Sequence, residues 1–428
     1  MAGLSLSVLL AGGLVLWGLV DGDTDEDAPY RASAPTAAPA VVEPAGAAQA
    51  LQNLARALED GDRSAATALA LPDDAAAAAR LGDLVDAARA IRLDDVTLRY
   101  VDEEDGVTAD GTWSAAVDAT WTYGGFDEVP TTAEVRVSFR AADGRVAVTG
   151  LGGTGDDTGG TGVTGGGGTG LRTPVWMSGP VAVAREDDVL VVAAAGRGTE
   201  PYLRRARAAA PAVADVVRGW RPRLVVEVPA DTAGLEQALG VEAGYYEQIA
   251  AVTGTGGTAT GATTDGGAVH VYVNPDVFDG LGRVGQQVVL THEATHVATA
   301  APASGAPTWL VEGFADYVAL RDTTLPLTRT AGQVADLVRA DGLPAALPDG
   351  AEFDTRGPHL GAAYEAAWLV CVMLAERGGQ DALVDLYTRV SEGDALDVAL
   401  RSGFDWDEAD LVRAWRDRLA GLPGAARG

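Results

Sequence analysis

The chain has 428 residues, 47% of them hydrophobic, which suffices for two or three domains with a sizeable core and excludes global disorder. Its formal net charge is −30 and all 31 basic residues are arginine, so no broad cationic surface exists for nucleic acid or anionic lipid headgroups. The single cysteine, Cys371, excludes an intramolecular disulfide, and its apolar run AAWLVCVMLA points to a buried rather than a reactive thiol.

Residues Ala2–Val20 are apolar or small and uncharged, followed by the acidic DGDTDED. This length is about right for a membrane span and long for the core of a signal peptide. An uncleaved single-pass anchor with residues 31–428 outside the cytoplasm is therefore expected, secretion after cleavage being the alternative. Residues 21–46 are Pro/Ala-rich and acidic, as suits an extended linker.

From 47 to 150 the patterning predicts a small α+β domain. Leu51, Leu54 and Leu58, then Leu81, Leu84 and Val85, recur at helical spacing. Strand-like alternation follows in VTLRYV, TWSAAVDATWTY and TAEVRVSFRAADGRVAVTG, the last turning at Asp143-Gly144. In its order of elements this part resembles the nuclear-transport-factor-like cone fold. No catalytic constellation is visible in it, so a spacer or docking role is expected.

Residues 151–170 form a Gly-rich linker. The remainder, 171–428, opens with the strands PVAVA and VLVVAAAG, the helix EPYLRRARAAAPAVADVVRGW, the strand RLVVEVPA, the short helix GLEQALG and the strand VHVYVNP. A Gly/Thr run, TGTGGTATGATTDGG, interrupts this region and reads as a surface loop. From Leu281 onward the pattern is mostly helical. A mixed sheet packed against a helical subdomain is expected.

The chemistry concentrates in VVLTHEATHVATA, Val288–Ala300, which holds two of the four histidines. His292 and His296 are spaced i, i+4, so on a helix both rings leave one face at chelating separation. Glu293 is rotated about one hundred degrees from His292, off the ligand pair but near enough to take a proton from a water held there. A chance match on a core helix is the bland alternative, and a third ligand is needed to displace it. Pro302, Gly305 and Pro307 end this helix, and PTWLVEGFADYVAL starts another. Within it Glu312 and Asp316 are again i, i+4. A His₂Glu set leaves one position open on zinc, and Asp316 could accept the free ring N–H of a histidine ligand.

HEATH followed by WLVEGFADY resembles the gluzincin metallopeptidases, the clan of thermolysin and the alanyl-aminopeptidases. The trailing AYEAAWLVCVMLAERGG and WDEADLVRAWRDRL helices are similar to the peptidase-MA-like proteins. The resemblance spans roughly residues 181–422 and implies a zincin-like domain. In it His292, His296 and Glu312 are zinc ligands, Glu293 is the general base and Asp316 supports a ligand. A metzincin pattern is excluded, since Thr299 and Pro302 stand where its glycine and third histidine belong. Two departures matter: only fifteen residues separate His296 from Glu312, and no Gly-x-Met-Glu-Asn segment is present to hold a free amine. An endopeptidase acting on peptide or protein substrates is therefore expected over an aminopeptidase. Tyr364 is the expected oxyanion donor by the same resemblance, with His359 as runner-up. His270, alternating with Tyr272 on a strand, is read as packing rather than ligation. Two rivals remain: a non-hydrolytic scaffold or surface-binding module on the same fold, and a zinc hydrolase of non-peptide amides.

Overall fold

In a computed structural model, residues 41–104, 106–152, 171–255 and 267–423 are described. The expected Ala2–Val20 membrane segment lies outside them, as do most of the Pro/Ala-rich and Gly-rich linkers and the centre of the Gly/Thr run. Among the described residues no helix is long and apolar enough to cross a membrane.

Helices come first. Helix α1 (Pro44–Asp60) starts on a proline, whose fixed φ and missing N–H suit a first turn, three residues inside the segment expected as linker. It is followed by α2 (Arg63–Thr67) and α3 (Ala75–Ile91), the latter capped by the Asp74 carboxylate accepting from Ala77 N. Four antiparallel strands then pair in sequence order: β1 (Leu93–Glu103), β2 (Thr112–Tyr123), β3 (Thr131–Ala142) and β4 (Arg145–Leu151). Between β3 and β4, Asp143 and Gly144 both take positive φ, 53° and 74°, the backbone that a two-residue hairpin of matching twist demands.

The second sheet is mixed, as expected. Strands β5 (Val181–Glu186) and β6 (Val189–Ala194) form an antiparallel pair, and α4 (Glu200–Ala214) crosses to β7 (Leu224–Val228), parallel to β6. After α5 (Thr232–Leu239) come β8 (Ala251–Thr255) and β9 (Val269–Val273). Strand β9 lies parallel to β7, and β8 lies antiparallel to β9 on the outer edge, giving the order β5-β6-β7-β9-β8. Every residue of β6 and β7 is buried, as central strands covered on both faces require. The two faces serve different cores. Val189, Val191, Val226 and Val228 pack with the helices that follow, whereas Leu190, Val192 and Val225 pack with the first domain. The 151–170 segment therefore divides two sheets whose cores meet across the second one.

The rest is helical: α6 (Pro275–Phe278), α7 (Arg283–Ala298), α8 (Thr308–Leu320), α9 (Leu327–Thr330), α10 (Gly332–Asp341), α11 (Leu360–Gly378), α12 (Gln380–Ser391), α13 (Leu396–Phe404) and α14 (Glu408–Ala420). The architecture is α+β, with two sheets and a helical half. Strand β8 occupies the first residues of the Gly/Thr run expected as loop. Six glycines and six threonines in fifteen residues hide a strand whose existence depends on its neighbour β9 rather than on local alternation.

Candidate metal centre

Helix α7 carries His292, Glu293 and His296, all buried. Burying polar residues on a helix requires that each find a partner, and threonines spaced by four manage this locally. Thr291, Thr295 and Thr299 turn their hydroxyls back to the carbonyls of Gln287, Thr291 and Thr295 at 2.8, 2.8 and 2.9 Å. Beyond Thr299 the chain takes a left-handed turn at Ala300 (φ 48°) and restarts after Pro307 as α8. This return brings Glu312 over the histidines.

The depth of that approach is set by Gly313. A Cβ there would lie 2.4 Å from the Ala367 carbonyl oxygen and 3.1 Å from Cys371 Sγ, so α8 and α11 meet at a distance only glycine permits. Cys371 fills this contact as a buried thiol whose pKa burial pushes far up.

Three donor atoms converge. His292 Nε2 and His296 Nε2 are 2.9 Å apart, and Glu312 Oε2 lies 3.2 Å from the first and 3.3 Å from the second. Donors held tetrahedrally on a zinc ion at about 2.0–2.1 Å would stand roughly 3.3 Å from one another, so the donor set fits that ion in number, type and spacing. Among the described residues it is the group of histidine, cysteine and acidic side chains with metal-holding geometry. Asp316 Oδ1 accepts from His292 Nδ1 at 2.8 Å, which leaves the Nε2 lone pair for the cluster. His296 lacks such support: its Nδ1 is buried without a protein partner.

The electrostatics favour positive charge at this point. Burial opposes a charged His292, but the Asp316 carboxylate and its hydrogen bond outweigh burial and hold the ring well above its usual pKa. Burial would likewise raise Glu312, yet His296 and His292 hold it far below the carboxylate range.

Glu293 points elsewhere. Its Oε2 accepts from Thr253 Oγ1 on β8 at 2.7 Å, and the same hydroxyl is 3.1 Å from its backbone carbonyl. Tyr364, in the first turns of α11, sets its ring 5.9 Å from that of His292, edge-on, and 5.3 Å from Phe353. Burial, then the carboxylates of Glu312, Glu293 and Asp316, push the Tyr364 hydroxyl well above its ordinary pKa, so it remains a neutral donor. His359 is not brought here. It precedes Tyr364 by five residues, roughly 140° around the helix, and lines a separate hollow with Trp415, Val338 and Leu343.

The cluster opens into a cleft of about 780 Å³, walled by Ile249–Ala251 beside β8, by Gly285, Val288 and Val289 on α7, and by Leu320, Tyr364 and Trp368. An open, mostly apolar trough meeting convergent polar groups is the form of a substrate site.

His270 lies elsewhere, buried beneath the first domain. Its Nδ1 is 2.8 Å from Glu227 Oε1 on β7 and its Nε2 is 2.9 Å from Asp127 Oδ1 in the β2–β3 turn. Burial disfavours the charged ring, but Asp127 and Glu227 override it and raise its pKa to about 10. The sequence reading anticipated packing at His270 but neither carboxylate. The available signal was Glu227 itself, a charge inside the otherwise apolar strand LVVEV.

The chain matches no protein-family model and no curated protein.

Proposed function

We propose that the chain is a zinc-dependent peptidase of gluzincin type, with a zincin-like domain preceded by a nuclear-transport-factor-like one. The observation carrying this reading is the convergence of His292 Nε2, His296 Nε2 and Glu312 Oε2, next to an open cleft that His292, Glu293 and Tyr364 line. The mixed sheet with its antiparallel edge strand β8 next to α7 supports the fold assignment.

His292, His296 and Glu312 would hold the ion, with Asp316 fixing the His292 tautomer. When bound, zinc supplies Lewis acidity to a water and to the scissile carbonyl. Glu293 takes a proton from the attacking water and delivers it to the amide nitrogen as the C–N bond breaks, so that one water yields a carboxylate and an amine. The Tyr364 O–H donates to the carbonyl oxygen as charge develops there. Peptide or protein is the substrate class, cleaved internally because the sequence carries no Gly-x-Met-Glu-Asn segment to hold a free amine.

Metal analysis and a peptide-library assay on the full chain test this reading together. About one zinc per chain, removable by chelator, is expected. Glu293→Gln should retain zinc and thermal midpoint while hydrolysis falls by about two to four orders of magnitude. A folded protein without stoichiometric metal, or unchanged hydrolysis in Glu293→Gln, would decide for the scaffold alternative.

A further inference from the structure

Thr253 sits on the edge strand of the second sheet, and its hydroxyl is the single protein partner of the Glu293 carboxylate among the described residues. We infer that Thr253 is a positioning residue for this carboxylate, so that hydrolysis depends on a side chain from the edge strand as well as on the helix that bears the base. The inference rests on the peptidase reading above.

A glutamate on a helix reaches its target through three torsions, each with several rotamers. Nothing on α7 itself restrains Glu293, because the threonines of that helix bond backwards to its own carbonyls. The restraint comes from outside. Strand β8 places Thr253 opposite Val271 on β9, and from there Oγ1 reaches both Glu293 Oε2 and the Glu293 carbonyl oxygen, at 2.7 and 3.1 Å. One carboxylate oxygen is held by this hydroxyl and the other, Oε1, is left to exchange a proton. Serine could make the same bond; valine, of nearly equal volume, could not. Register makes the arrangement specific to the strand. A slip of one residue would turn Thr253 away and present Val252 or Gly254, neither of which can donate from a side chain.

The test uses the full chain, loaded with zinc and also stripped by chelator. Thr253→Val should lower kcat about ten- to a hundredfold, the scale of losing a side chain that orients a reacting group, with KM within about twofold and zinc content unchanged. Thr253→Ser should restore kcat to within about twofold to threefold of the parent. In a Glu293→Gln background, assayed with a sensitive fluorogenic peptide, Thr253→Val should cost less than about twofold, because a residue acting through the base has nothing left to act on. In the stripped protein, thermal midpoints of Thr253→Val, Glu293→Ala and the double variant should be non-additive, reporting the contact without any turnover. Unchanged kcat in Thr253→Val, an equal loss in both backgrounds, or no rescue by serine overturns the inference while leaving the peptidase reading intact. A parent chain that hydrolyses nothing overturns both, and non-additive midpoints would then leave Thr253 a structural partner only.

Discussion

Two buried clusters in this chain use the same materials, imidazole and carboxylate, for opposite ends. At His270 the two ring nitrogens face away from each other toward separate acceptors, Glu227 and Asp127. Both nitrogens donate, the ring is a cation, and no lone pair remains. At His292 and His296 one nitrogen of each ring turns toward a shared point with Glu312 Oε2, and an open cleft adjoins that point. Divergent donors make an internal ion pair; convergent ones make a seat for an external cation. Both clusters combine imidazole with carboxylate below the surface, and the direction of the ring nitrogens is what distinguishes them.

The largest effect should come from Glu312→Ala. Removing one corner of the convergent set should abolish zinc retention and hydrolysis together, read by metal analysis after dialysis. Retention of a full zinc equivalent would show that the convergent histidines do not depend on Glu312 to hold a cation. Asp127→Ala should act in the reverse sense. It leaves His270 and Glu227 with half their buried network and should cost about 3–5 kcal/mol of stability, measured by denaturant unfolding, while zinc per folded chain stays near one. Loss of metal in that variant would show the two clusters to be coupled. Tyr364→Phe should keep metal and stability and reduce kcat about a hundredfold or more, as for loss of one oxyanion donor. Steady-state kinetics decide it, and a change confined to KM would remove the assigned role.

The smallest effect concerns pH. His270 has a folded pKa of about 10, raised above the usual 6.5, so its cation stabilises the fold fully below about 6.5 and ceases to as pH rises through 10. Thermal midpoints should therefore fall across that window in the parent chain and change less in His270→Gln. A flat parent profile between pH 7 and 10.5 would contradict the ion-pair assignment.

Much of the candidate site was legible because its geometry is local. The i, i+4 spacings of HEATH and of Glu312 with Asp316 fix which side chains share a helix face, and Pro302 and Pro307 mark where the chain must turn. What spacing could not supply was the mutual depth of α7, α8 and α11, which Gly313 sets through a contact 54 residues away in sequence. Apart from β8, the strands of both sheets were visible through alternation or continuous apolar runs. Strand β8 was not, since AVTGT carries too few apolar residues to signal a strand and gains its place by pairing with β9. Thr253 was hidden with it. The partners of His270 were hidden for a related reason: Asp127 comes from a turn 143 residues earlier, and only the packing of one domain on the other brings it near.

That packing bears on how the chain could be cut. Asp127 inserts beneath the second sheet, and Leu190, Val192 and Val225 share a core with the first domain. Scission anywhere between residues 152 and 171 would divide the polypeptide yet leave the fragments clasped, migrating as one species under native conditions and parting only in denaturant. A cut at that junction would thus need a second event to separate the pieces, and a fragment beginning at residue 171 would expose the apolar side chains of Leu190, Val192 and Val225.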